Sequence, residues 1–332
     1  MTQKGIAVAG GNGTIGSSII RALLPYRQYN SVILSRATSS KPAGTSTKTT
    51  KTTPEHPAEE ITVETRYVDY TSIPSLTESL KDINVLISTL LIPGPEMVPY
   101  QLNLLQAAIN AGVSRFAPSE FALSQKWHKE VDIDAGKIVV WDAVSQAVNN
   151  GKIDAAAFPC GMFMNYLGIG CPEPKQLEAL AGFGEMALMF HLDVPEPWVE
   201  VPLMEDGRWP DLSMTDIRDV GRFVVAALEI DSWNGRELGM VGETKNLKEI
   251  VKDIEAVLGK KVEVRAVERN EYERRLKELR EERADGGIMA EIDMQYMMVC
   301  GKGGSVVEGI LNELRPDVKP IGIRGYLQKY WT

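Results

Sequence analysis

The apolar run Gly5-Ile6-Ala7-Val8-Ala9 passes directly into Gly10-Gly11-Asn12-Gly13-Thr14-Ile15-Gly16, and a helical pattern follows from Ser17 to Leu24. A buried strand, a glycine turn and a helix in that order leave few folds open. In this GxxGxxG spacing Gly10 lets the chain turn sharply off the strand. Gly13 lets an anionic group approach the backbone, and Gly16 lets the helix pack closely on the strand. The helix start offers N–H groups that have no partner within the helix, aimed where a pyrophosphate would sit. Glycine spacings arise often by chance. The strand before this one and the helix after it make it a dinucleotide-binding turn.

The next strand, Ser31-Val32-Ile33-Leu34-Ser35-Arg36, ends about 20 residues beyond Gly16, where such folds meet the adenosine ribose. An acid at that strand end would grip the ribose 2′-hydroxyl and repel a 2′-phosphate. Arg36 stands there instead, followed by Thr38, Ser39, Ser40 and Lys41. A guanidinium forks onto phosphate oxygens and stacks on adenine. The expected cofactor is therefore NADP(H).

Strands expected at Ile61–Val68, Asn84–Leu90, Val113–Ala117 and Ile153–Phe158 alternate with helices at Ile73–Leu80, Pro99–Ala111 and Ile138–Val148, with Pro93-Gly94-Pro95 breaking the chain between. That alternation predicts an α/β fold, a Rossmann-type doubly wound parallel sheet with right-handed crossovers. The expected organisation is an NADP-binding domain over 1–160 and a smaller substrate-binding lobe over 161–332, interleaved with the first. Residues 37–60 are rich in Thr, Ser, Lys and Pro and nearly free of large apolar side chains, which predicts a flexible loop. Regular periodicity is weak over 182–202. It returns at Leu212–Leu228, at a capping box beginning Asn246-Leu247-Lys248-Glu249, and in a charged helix over Glu268–Ala284.

The net charge of −9 argues against a general nucleic-acid or anionic-membrane surface. No apolar run approaches the roughly 18 residues of a membrane span, and no secretory leader precedes the first strand, so a cytoplasmic monomer or homodimer is expected. Cys160, Cys171 and Cys300 show no metal-binding spacing.

Arg115-Phe116-Ala117-Pro118-Ser119-Glu120-Phe121-Ala122, together with the glycine turn, Ser88-Thr89, Pro159-Cys160-Gly161-Met162-Phe163 and Thr215-Asp216-Ile217-Arg218-Asp219-Val220-Gly221, resembles the NmrA-like and isoflavone-reductase-like branch of the atypical short-chain dehydrogenases. The phenylcoumaran benzylic ether reductase type belongs to that branch, and Arg315–Lys319 and Gly325-Tyr326-Leu327 resemble its fungal members. The resemblance implies that Gly10, Asn12, Gly13, Thr14 and Ile15 hold the pyrophosphate, and that Arg36 and Lys41 hold the 2′-phosphate. It places Ser88 and Leu90 along the cofactor, Ser119, Glu120 and Phe121 beside the nicotinamide, and Pro159, Cys160 and Met162 as the wall next to that ring.

Reductases of this type use a lysine on the following helix to move a proton. Counting back from the strand at Ile153, its register falls on Trp141, and Lys137 lies one helical turn earlier. Lys137 is therefore the candidate catalytic residue, with Tyr166, His191, Ser119 or Cys160 as substitutes if it faces solvent. His128, in the loop after Glu120, is expected at the surface, and His191 at the surface or satisfied within the fold. Met162, Phe163, Tyr166, Met189, Phe190 and Trp198, with Met164 and Met186, suit a flat hydrophobic ligand or else plain core. The expected activity is reduction of a small hydrophobic, aromatic, secondary metabolite. A non-catalytic NADP-binding regulator and a cofactor-containing isomerase or cyclase are the competing readings.

Overall fold

In the computed structural model, residues 3–53, 56–92, 94, 96–184, 187–281 and 288–332 are described. Pro54, Glu55, Pro93, Pro95, Met186 and Ala284 of the expectations above lie outside them.

The first half alternates as β1 (Lys4–Ala9), α1 (Thr14–Leu23), β2 (Tyr29–Arg36), β3 (Ser46–Thr53), β4 (His56–Val68), α2 (Ile73–Ser79), β5 (Val85–Ser88), α3 (Met97–Ala111), β6 (Arg115–Ala117), α4 (Ala135–Asn149) and β7 (Asp154–Ala157). Together with β12 (Arg236–Glu237) these strands form one sheet in the order β12-β7-β6-β5-β1-β2-β4-β3. All its pairings are parallel except β3 with β4. Ile6 of β1 sits opposite Ser31 of β2 on one side and Val85 of β5 on the other, so the chain reverses direction across the sheet at β1. Such a reversal opens a crevice at the carboxyl ends of the strands. β1 is buried apart from Lys4, as helices covering both faces of a parallel sheet require.

The expected loop over 37–60 holds for 37–45 and differs beyond it. Residues 46–53 and 56–60 form β3 and the start of β4, paired antiparallel from Ser46↔Arg66 onward. The Ser-Thr-Lys-Thr-Thr-Lys-Thr-Thr run supplies β-branched side chains that favour extended backbone without needing a core. Thr50 and Thr62 share a cross-strand hydroxyl contact of 2.8 Å, and Ile61 and Val63 anchor β4 in the core beside Ile33.

The second half contributes β8 (Met162–Phe163), α5 (Lys175–Leu180), β9 (Phe190–His191), β10 (Trp198–Pro202), β11 (Asp211–Thr215), α6 (Ile217–Ala227), β13 (Glu243–Asn246), α7 (Leu247–Leu258), β14 (Glu263–Val267), α8 (Arg269–Glu281), α9 (Ile288–Gly301), α10 (Ile310–Leu314) and α11 (Ile323–Trp331). The weakly periodic 182–202 segment thus contains β9 and β10. Two small sheets, β14-β10-β9 and β13-β11-β8, surround a second core that includes Leu167, Val199, Ile250 and Tyr326. α6 returns to the first half and packs on α1 so tightly that a Cβ on Gly221 would stand 2.6 Å from Ser18 O. The capping box at Asn246 and Glu249 forms as the sequence predicts. No helix among the described residues is long and apolar enough to cross a membrane.

Candidate active site

One end of the crevice is made of backbone. Gly10 has φ +79°, and a Cβ there would come within 2.9 Å of Thr89 Oγ1. The Thr89 hydroxyl in turn donates to Ala9 O at 3.0 Å, so the end of β5 buttresses the turn. A Cβ on Gly16 would meet Gly10 O at 2.4 Å. Gly13 is the N-cap of α1 and supplies no side-chain cap. The N-terminus of α1 therefore faces the crevice without a side-chain acceptor, and a pyrophosphate fits that cradle.

At the end of β2, Arg36 is exposed, and Thr38 to Lys41 closes on itself through Thr38 N to Lys41 O (2.9 Å) and Lys41 N to Thr38 O (3.1 Å). Lys41 Nζ donates to the Tyr67 hydroxyl at 2.8 Å, which lowers that phenol's pKa. Beside them Tyr70 donates to Leu34 O at 2.9 Å and stacks on Tyr100. An exposed guanidinium beside a tethered ammonium suits a phosphate monoester.

The other end of the crevice is made of side chains. After β6 the chain runs through Pro118 and Ser119 to Glu120, whose carbonyl accepts from Phe158 N at 3.1 Å. Glu120 is 2% exposed, and His128 is fully buried with Nε2 3.3 Å from Glu120 Oε2. This corrects the surface expectation for His128, which the short helical turn Gln125–Glu130 folds inward. Burial raises the Glu120 carboxyl to about 8 and lowers His128 to about 4, so both are neutral near pH 7.

Lys137, in the first turn of α4, lies 2.7 Å from Asp134 Oδ1, and Asp134 Oδ2 accepts from the Tyr296 hydroxyl of α9 at 3.0 Å. Burial opposes the ammonium, but the Asp134 and Glu120 carboxyls outweigh it and hold the lysine pKa above its usual value. The same ammonium lies within electrostatic reach of His128 and of the Cys160 thiol, which burial raises to about 12. Trp141, one turn later, packs instead into the apolar layer that holds Leu104 and Val144. The helix thus brings Lys137 to the carboxyl ends of β6 and β7 and leaves the family's usual register in the core.

The model of the NmrA-like family matches residues 2–299. The chain belongs to the NmrA-like family. It is 28% identical to oxidoreductase BOA1 of Botryotinia fuckeliana over 77% of this chain and 76% of that protein. Among solved structures it is similar to AtPrR2 with NADP+ and (+)pinoresinol, with TM-score 0.71, 18% identity and 99% of each chain covered. It is also similar to isoflavone reductase, with TM-score 0.70, 18% identity and 99% of each chain covered. At these identities the structural likeness extends to the fold.

In this NmrA-like chain an aromatic wall stands over the glycine turn. Phe183 packs on Phe163 at 4.6 Å and on Tyr166 at 5.3 Å between ring centres, and Thr14 Oγ1 donates to Gly182 O at 3.2 Å. Met162 is half-buried on β8, opposite Met214. Three residues expected to line a flat ligand, and Phe121 expected beside the nicotinamide, pack as follows. Met189 and Phe190 are 2% and 1% exposed in the second core, where β9 turns them inward. Trp198 is sandwiched between His191 at 3.5 Å and Arg265 at 3.9 Å, a closed stack on the β14-β10-β9 sheet. Phe121 is 5% exposed and stacks on Phe158 in the core.

Along the expected cofactor path, Ser88 is fully buried and its hydroxyl accepts from Gln101 Nε2 at 2.8 Å. Leu90 is half-buried against the α3 layer. Ser119 is half-buried, and Pro159 and Cys160 are buried where β7 ends. A cleft of 530 Å³ lined by Gly112, Val113, Asp154 and Ser232 lies near the opposite, amino-terminal ends of β6 and β7, away from Lys137.

Asp134, Tyr296, Phe183 and Thr89 complete the site and were not expected. Asp134 carries a readable signal, an acid three residues before Lys137 on one helix face. Tyr296 is 162 residues from Asp134, and no local pattern joins them.

Proposed function

We propose that this protein is an NADPH-dependent reductase of a small hydrophobic, aromatic metabolite, of the atypical short-chain dehydrogenase type. The observation that carries the reading is the half-buried Lys137 ammonium, paired with Asp134, which Tyr296 in turn hydrogen-bonds, at the carboxyl ends of β6 and β7. Residues 1–160 would hold the cofactor and 161–332 would shape the substrate lobe. Gly10, Asn12, Gly13, Thr14, Ile15 and Gly16 would seat the pyrophosphate, and Arg36 with Lys41 the 2′-phosphate. That assignment draws support from AtPrR2, solved with NADP+. Bound NADPH supplies a hydride. Lys137 then protonates the oxygen or carbon that becomes negative, Asp134 keeps the ammonium oriented, and Phe163, Tyr166 and Phe183 exclude water over the reacting face.

The test titrates the protein with NADPH and NADH and follows NADPH oxidation against aromatic ketones and enones. NADPH should bind more tightly than NADH, and Arg36→Asp should reverse the order. Lys137→Met should reduce turnover by about 10²–10⁴-fold with NADPH affinity unchanged. Tight NADPH binding with no turnover by either protein would replace the reductase reading with that of a sensor.

A further inference from the structure

Gln295 is a polar residue on an apolar helix face. Ile292 and Val299, one turn to either side of it on α9, share a buried cluster with Leu123 and Val131 of the first half. Gln295 is itself 4% exposed, and an amide buried there without partners would be costly. One residue satisfies both of its ends. Its Oε1 accepts from Asp132 N at 2.7 Å, and its Nε2 donates to Asp132 Oδ2 at 2.7 Å. Arg280 of α8 donates to the same carboxylate oxygen at 2.7 Å. Asp132 O accepts from Ala135 N, so both backbone groups of Asp132 are engaged as well as its side chain.

The turn held in this way leads directly to the lysine. Asp134 stands at the N-cap of α4, where an aspartate ordinarily accepts from N–H groups of the first helical turn. Its backbone is helical, with φ −89° and ψ −14°, rather than extended as at a capping residue, and no side-chain cap forms. Its Oδ1 lies 2.7 Å from Lys137 Nζ, and its Oδ2 accepts from Tyr296, the chain neighbour of Gln295. The carboxylate is thus kept from its local partner, the helix, and given to the ammonium.

We propose that Gln295 is a positioning residue for Lys137: it staples Asp132 and so holds the following turn in the form that aims the Asp134 carboxylate at the ammonium. The catalytic purpose of that placement rests on the reductase reading above. Without the staple the backbone at Asp134 is free to extend, the carboxylate turns to cap α4, and Lys137 loses its nearest anion. Burial then opposes the ammonium with less to offset it, and the lysine pKa falls. Glu120, His128 and Cys160 also lie within electrostatic reach of Lys137, and none of them is altered in the variants below.

Competitive acylation of Lys137 across pH tests this in the whole protein without cofactor or substrate. Gln295→Leu should make the lysine roughly tenfold more reactive at pH values below its midpoint, as the loss of about one pKa unit does. Ile292→Ala weakens the same helix contact but spares the staple, so it should lower stability and leave the labelling curve in place. Gln295→Glu combined with Asp132→Asn exchanges donor and acceptor across the pair and should restore the original curve. An unmoved curve in Gln295→Leu, an equal shift in Ile292→Ala, or no recovery in the double variant would overturn the proposal. Should Gln295→Leu fail to fold, Asp132→Ala, at an exposed position, cuts the side-chain half of the staple. It must move the curve in the same direction, and an unmoved lysine rejects the role. Where NADPH is turned over, Gln295→Leu should lower kcat and leave KM and NADPH affinity unchanged. A lysine shift in a protein that never oxidises NADPH would defeat the reductase reading alone, and turnover with an unmoved lysine would defeat the positioning role alone.

Discussion

The two ends of the crevice are built by opposite means. The phosphate end uses backbone from one short stretch, Gly10 to Gly16, where the absence of side chains does the shaping. The proton end uses side chains from distant segments: Glu120 after β6, Asp134 and Lys137 at the start of α4, and Tyr296 on α9. A backbone cradle is rigid and intolerant of added atoms. A side-chain network tolerates change in shape and fails by loss of a donor or a charge. Substitutions at the two ends should therefore fail differently.

The largest effect is expected at the backbone end. In Gly16→Val the new Cβ would lie 2.4 Å from Gly10 O and 2.6 Å from Gly11 Cα, and neither atom can move without opening the turn. The strain should cost about 3 kcal/mol of stability and abolish NADPH binding. Thermal unfolding and fluorescence titration measure the two losses. Binding that survived would mean that the turn serves packing alone.

At the proton end, Tyr296→Phe removes one donor to Asp134 Oδ2 and adds no volume. Hydrogen bonds to charged groups contribute about 1.5–3 kcal/mol, so turnover should fall by about 10- to 150-fold while NADPH affinity holds. Steady-state kinetics beside a binding titration separates the two. A matched loss of affinity would erase the contrast between the ends, because the network would then be supporting the cradle as well.

The same contrast explains what could be read from the chain. The glycine turn, the strand end at Arg36 and the parallel alternation are local patterns, and each has a period or a spacing. The position of Lys137 against Trp141 was open in sequence, because residues four apart on a helix share a face. In the structure Trp141 packs, partly buried, against the layer that holds Leu104 and Val144. His128 was expected at the surface, since nothing adjacent in sequence shows that a short helical turn folds it under Glu120. Phe121, Met189 and Phe190 carry the same apolar character in a core as in a ligand wall, and composition does not separate the two. Residues 46–53 and 56–60 differ from the expected loop for the converse reason. Their Thr-rich composition looks like that of unfolded chain, but β-branched residues pair well when β4 brings its own apolar anchors, Ile61 and Val63.

That hairpin offers the smallest and most local test. Thr50→Ala removes the 2.8 Å cross-strand contact with Thr62 without touching the core. Such pairs contribute about 0.2–1 kcal/mol, so global stability should fall by no more than that, and cofactor affinity should not change. The hairpin adjoins the Thr38–Lys41 turn, and Gly44 and Thr45 are bonded to Tyr67, the residue that holds Lys41. If Thr50→Ala weakened NADPH binding but not NADH binding, the hairpin would be part of the 2′-phosphate grip. The phosphate end would then depend on side-chain pairing as the proton end does, and the division between backbone and side-chain construction would have to be drawn at Arg36 rather than between the two ends of the crevice.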